Sequence, residues 1–184
     1  SKDSMYKILV DQKSLYKRGN SLNSLLRPIR SNNSPFAWKI VTGVNQIVIA
    51  TREKNVTSDF RDWRINTFHS NLKANYFEVW RSEKNNLWCM EKCYLNFFYL
   101  NRSTQNESEY ICIHADPLEI NYTHLIYKQS IHIHISKAED PIPHGHLAIG
   151  HQFLSSIYAS EQTFFSHFKE YLQLIVHEIL SKVP

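Results

Sequence analysis

Glycine is the residue this chain most lacks. Average usage near 7% would place about a dozen in a chain of this length, and the sequence holds 4 in 184 residues. Neither G-x-x-x-x-G-K-S/T nor G-x-G-x-x-G occurs, so the loops whose backbone amides cradle phosphates are missing. That argues against nucleotide hydrolysis by this chain. Cysteine is also sparse: Cys89, Cys93 and Cys112 make an odd count with no C-x-x-C pair. Such usage points to reduced thiols and a cytoplasmic setting rather than a disulfide framework. No apolar run approaches the roughly 18 residues of a membrane span, and no signal-peptide pattern opens the sequence, so no membrane partner is expected. No Lys/Arg block stands out. The net charge of +4 is compatible with touching RNA or DNA without demanding it. A nucleophile motif and a carboxylate cluster for two-metal chemistry are missing as well.

The remaining composition is that of an ordinary globular chain, with 42% apolar and 21% charged residues, long enough for one α+β domain over residues 1–184. Aromatics reach 13%. Trp38, Trp63, Trp80, Trp88 and the run from Tyr94 to Tyr99 are expected mainly in the core, any exposed part suiting a partner surface. Lys7–Val10 reads as a first strand, and Ser21–Leu26 as one or two helical turns stopped by Pro28. Lys39–Thr42 and Gln46–Thr51 flank a Thr42-Gly43-Val44-Asn45 turn, the pattern of a hairpin. Ser58 could cap a helix over roughly Asp59–Leu72. A meander is expected next, with strands Tyr76–Arg81, Leu87–Leu100 and Tyr110–His114 separated by polar turns at Ser82–Asn86 and Asn101–Glu109. Short connections favour antiparallel neighbours. From Ser160, Phe164, Phe165, Phe168, Tyr171, Leu172, Ile175 and Ile179 recur at helical spacing. Burial worth about 1.5–3 kcal/mol per large side chain predicts that this amphipathic C-terminal helix packs an antiparallel β-meander sheet, an α+β fold.

Between Thr123 and Gly150 lie five of the ten histidines: His124, His132, His134, His144 and His146. Tyr127–Ser136 alternates strictly, with Ile131, Ile133 and Ile135 on one parity and His132 and His134 on the other, as in a strand with one buried face. Past a proline turn, Leu147 and Ile149 continue the apolar parity while His144 and His146 continue the polar one. If the two stretches pair, burial selects a register that groups the aliphatic residues and gathers the four imidazoles on the other face. Should Tyr110–His114 pair alongside in an even register, Cys112 and His114 join them.

Two chemistries suit such a face. His132, His134, His144 and His146 could offer ring nitrogens to Zn²⁺, with Asp116, Glu139 or Asp140 orienting them. Without metal, two imidazoles could act as acid and base in RNA cleavage, with Lys128 on the same parity, or Arg102 from a turn, steadying the phosphorane. A plain polar sheet face with no ligand is the commoner outcome for such a pattern. Tyr127–His134 and Pro143-His144-Gly145-His146 together resemble bacterial RNA-targeting toxins of the TumE kind, in which a late strand ends in histidines before a proline turn, a further His pair and a closing helix. The resemblance spans a small part of the chain, lacks the adjacent histidines of that family, and carries no catalytic role over. Weighed together, the missing motifs favour a small non-catalytic accessory subunit, engaged in protein–protein interaction within a larger prokaryotic assembly that handles nucleic acid or serves antiviral defence. The alternative is an RNA-cleaving or metal-dependent hydrolytic domain using the histidine-rich face.

Overall fold

The computed structural model describes residues 7–32, 35–52, 58–118, 131–135, 145–148, 158 and 160–184. Among them are nine strands: β1 (Leu9–Asp11), β2 (Ala37–Thr42), β3 (Gln46–Arg52), β4 (Ile65–Asn66), β5 (Leu72–Ser82), β6 (Leu87–Asn101), β7 (Asn106–Ala115), β8 (Ile131–Ile135) and β9 (Gly145–Ala148). Three α-helices accompany them: α1 (Gln12–Tyr16), α2 (Gly19–Leu25) and α3 (Glu161–Glu178). The strands form one sheet in the order β2-β3-β5-β6-β7-β8-β9, with β1 paired to β6 and β4 to β5. Every pairing is antiparallel. The fold is therefore α+β, an antiparallel meander closed by a C-terminal helix.

Strand periodicity sets the two faces. Ile47, Tyr76, Trp80, Leu95, Phe97, Ile113 and Ile131 belong to one apolar cluster with Leu15, Leu22 and Leu26 from the N-terminal helices and Phe164, Phe168, Leu172 and Ile175 from α3. Ile133 and Ile135 pack against that cluster from its margin, so the aliphatic parity of β8 shares a core with the helix. The helix crosses the sheet at β5, where the Phe168 ring meets Tyr76 edge-on at a centroid separation of 6.1 Å. Ser160 caps α3 as expected, its Oγ accepting from the Thr163 amide at 3.0 Å. A second, smaller cluster of Val48, Ala50, Trp63, Phe77 and Val79 lies on the other face.

Within the first core sits a charged clasp. Arg18, at the start of α2, donates through Nε and Nη2 to Glu78 Oε2 and Oε1 at 2.8 and 2.5 Å. Its Nη1 reaches Glu161 in the first turn of α3. Glu78 is fully buried and also accepts from Tyr76 Oη at 2.6 Å and Trp80 Nε1 at 3.0 Å. The guanidinium is held charged well above its ordinary range: burial is the largest single influence and opposes this, and Glu78, Tyr76 and Glu161 together outweigh it.

Two sequence expectations are overturned. The helix proposed over Asp59–Leu72 does not form. Phe60–Asp62 make a single 3₁₀ turn capped by Asp59 rather than Ser58, after which Ile65–Asn66 pair with Ala74 and Lys73 of β5. Thr67 interrupts the helical stripe and uses its hydroxyl to donate to the Leu72 carbonyl at 2.7 Å, a local bond that competes with helix. The turn expected over Asn101–Glu109 is also shorter, because β7 begins at Asn106. That difference moves Glu109 out of a loop and into the sheet.

Candidate metal centre on the β6–β8 face

The register of the last strands decides which side chains meet. Cys112 lies opposite His134 and His114 opposite His132 in the β7–β8 pair, while Tyr94 and Asn96 of β6 lie opposite His114 and Cys112. All six even-numbered positions therefore share one face, since direct cross-strand partners project the same way. In the β8–β9 pair His134 faces His146 across the ladder, the even register anticipated for the two histidine stretches. His144, His124, Lys128, Glu139 and Asp140 lie outside the described residues.

Glu109 carries an odd number, yet it joins the even face. Between β6 and β7 the pairing runs Phe97 with Ile111 and then Phe98 with Glu109, leaving Tyr110 without a partner in the ladder. An extra residue of this kind is a β-bulge, and it reverses the parity of everything beyond it. Glu109 Oε1 consequently accepts from the Cys112 thiol at 3.0 Å and lies 3.0 Å from His134 Nδ1.

The result is a compact group of donors. Glu109, Cys112, His114 and His134 each offer one ligand atom, and these atoms lie within 4.8 Å of one another. Cys112 is fully buried, and His114 and His134 are partly so. A carboxylate, a thiol and two imidazoles are the ligand set of Zn²⁺ and its neighbours rather than of Ca²⁺ or Mg²⁺. Outer contacts orient the rings. His114 stacks on Tyr94 with centroids 4.0 Å apart and planes at 16°, and its Nε2 is 2.7 Å from Asn96 Oδ1. The Asn96 amide nitrogen donates to Asn75 Oδ1 at 3.3 Å, which fixes Oδ1 as acceptor for His114. That assignment places the ring proton on Nε2 and leaves Nδ1 with its lone pair. The Cys112 thiol is held protonated, first by burial and then by the adjoining Glu109 carboxylate.

The face is less open than a solvated strand pair would be. His132 is fully buried, and its ring meets His114 edge-on at 5.6 Å. Asp116 accepts from Tyr94 Oη at 2.5 Å, so its contact is with the tyrosine flanking the cluster. Arg102 donates to Asn71 Oδ1 at 2.6 Å in its exposed turn. A groove of about 450 Å³ adjoins the cluster, lined among others by Glu109, His114, Tyr94, Asn96, Arg61 and Lys92.

His134 is thus the expected site residue that the described structure brings into the cluster, and His132 borders it. Cys112 and His114 enter under the even register. Glu109, Asn96 and Tyr94 escaped the sequence reading. The alternation of Tyr94, Asn96 and Phe98 along a long strand was a usable signal for two of them; nothing in the letters announces the bulge that turns Glu109.

No protein-family model, curated protein or solved structure matches this chain. Among the described residues no helix is long and apolar enough to cross a membrane.

Proposed function

We propose that this chain is a metal-binding domain whose β6–β8 face holds a zinc-class ion at the cluster of Glu109, Cys112, His114 and His134. The observation that carries this reading is the convergence of four ligand atoms within 4.8 Å on rigid, adjacent strands. Strand positions hold such atoms more closely than loops do, which favours a defined site. Binding would replace the thiol proton of Cys112 with the ion, since thiolate is the ligand form. The test is equilibrium dialysis of the purified protein against Zn²⁺, with the metal measured by mass spectrometry. One ion per chain is expected, falling to background in Cys112→Ser and in His134→Ala. Failure of the folded wild-type protein to take up Zn²⁺, Co²⁺ or Ni²⁺ overturns the reading.

The accessory-subunit reading rests on a different observation. β2 ends the strand order, with Val41 exposed, and Val44 in the following turn is 95% exposed. An edge strand with exposed apolar residues suits addition of a strand from a partner in a larger assembly. A complex with the product of a neighbouring gene, unaffected by Cys112→Ser and lost in the Val41→Asp, Val44→Asp double variant, is the result expected. A complex that survives the double variant overturns this placement of the interface.

A further inference from the structure

We infer that the bound ion is held by three residues, Cys112, His114 and His134, and keeps a fourth position open to the adjoining groove, where Glu109 handles the proton of a bound water. This rests on the metal-binding reading and adds what kind of centre it is: one that admits a small anionic ligand or substrate.

The three-plus-one division follows from the ladder. Cys112 and His114 are two residues apart on β7, and His134 is the direct cross-strand partner of Cys112. These three positions form a tripod whose spacing is set by regular pairing alone. Glu109 is separated from them by the unpaired Tyr110, and so approaches from beyond a bend in the strand. Exposure follows the same division. Cys112 is inaccessible, the His134 side chain is 13% exposed and that of Glu109 is 39% exposed. Glu109 and His114 line the groove, and Cys112 and His134 are not among its lining residues. Solvent and solutes in the groove therefore meet the cluster on the side of the Glu109 carboxylate and the His114 ring, away from Cys112 and His134.

Closed four-ligand sites are the structural kind, and sites with three protein ligands and a water are the catalytic kind. Glu109 Oε1 is shared by the Cys112 thiol and His134 Nδ1. Coordination of sulfur and ring nitrogen would remove both contacts and leave the carboxylate beside a water on the exposed side. Such a water is acidified by the ion. Its proton passes to Glu109, its oxygen bonds to the electrophilic atom of an ester, the bond to the leaving group breaks, and the proton on Glu109 moves to that leaving group. Atoms and charge balance with water as the co-reactant. Arg61 and Lys92 stand in the groove wall with Glu91, so the preference for an anionic ligand comes from the charge of the ion at the open position, and Phe60 and Phe98 in the same wall offer apolar surface to the rest of the ester.

Cobalt substitution tests the open position without needing the natural substrate. The Co²⁺-loaded wild-type protein is expected to show a near-ultraviolet thiolate-to-metal band that Cys112→Ser removes. Titration with azide, and separately with acetohydroxamate, is expected to shift the visible d–d bands saturably. Glu109→Gln should retain one cobalt per chain and its thiolate band. Bands that do not respond to either anion in the wild-type protein, or loss of cobalt from a folded Glu109→Gln protein, would make Glu109 a fourth ligand and overturn the open centre, leaving the metal-binding reading intact. Absence of cobalt and zinc uptake by wild type removes the metal-binding reading itself, and with it this one.

Discussion

The sheet carries a polar cluster on each face, one buried and one open to a groove, and the two are built on opposite terms. On the helix-covered face Arg18 brings its own positive charge to Glu78 and Glu161, and Tyr76 and Trp80 satisfy the remaining carboxylate lone pairs. On the other face Glu109, Cys112, His114 and His134 gather groups that share one chemical habit: each can present a lone pair to a cation. The first cluster fastens three segments far apart in sequence, the start of α2, the middle of β5 and the start of α3. The second joins neighbours in one meander. A buried charge supplied with its counter-charge is a fastening; a collection of atoms able to ligate a metal beside a groove is, under the proposed function, a receptor.

Removing the fastening should have the largest effect. Arg18→Met strands Glu78 in the core, and breaking a buried pair from one side costs about 3–5 kcal/mol. A matching fall in the denaturant midpoint is expected, while zinc stoichiometry in the protein that remains folded stays at one. If zinc binding is lost together with the clasp under folding conditions, the two faces are coupled and the contrast fails. The receptor should register in the opposite way. Zinc in free excess at about 100 times its Kd would add about 2.7 kcal/mol to wild-type stability, read as a raised melting temperature, and Cys112→Ser should abolish that increment.

Smaller effects sharpen the same contrast. Ser160→Ala removes the cap that sits one residue before Glu161, and a cost of about 1 kcal/mol is expected. A much larger loss on chemical denaturation would mean that the cap also positions the clasp. A further effect concerns pH. Burial pushes the Cys89 thiol up to about 11 from an ordinary value of 9.0. A thiol raised in the folded state contributes stability fully below the unfolded value, and that contribution disappears as pH climbs through the folded value. Denaturation midpoints should therefore decline between about pH 9 and 11, and Cys89→Ala should flatten part of that decline. An unchanged slope in the variant would show that Cys89 is not its source.

Much of this architecture was legible in the letters because it follows local periodicity. Ser160 and the Phe164–Ile175 stripe announced α3, and the alternation of Ile131, Ile133 and Ile135 against His132 and His134 announced both faces of β8. The Thr42–Asn45 turn likewise placed the β2–β3 hairpin. What local pattern misses is a change of period. Over residues 59–72 a loose aromatic spacing suggested a helix, whereas pairing of Ile65 and Asn66 with β5 depends on a strand reached later in the chain. The donor cluster was half legible for the same reason. Parity carried Cys112, His114 and His134 to one surface, but a register irregularity at Tyr110 carried Glu109 there. Arg18 and Glu78 are 60 positions apart, and no periodicity links them.

The unpaired Tyr110 has a consequence for how this surface tolerates change. Substituting residues around it alters side chains one at a time, whereas deleting that single residue would join Glu109 directly to Ile111 and restore regular alternation, with Glu109 still opposite Phe98 on the cluster face. Cys112, His114 and His134 would keep their mutual places. One codon can thus be lost from the bend without dispersing the donors to two faces, and the sheet's order of strands stays unaltered.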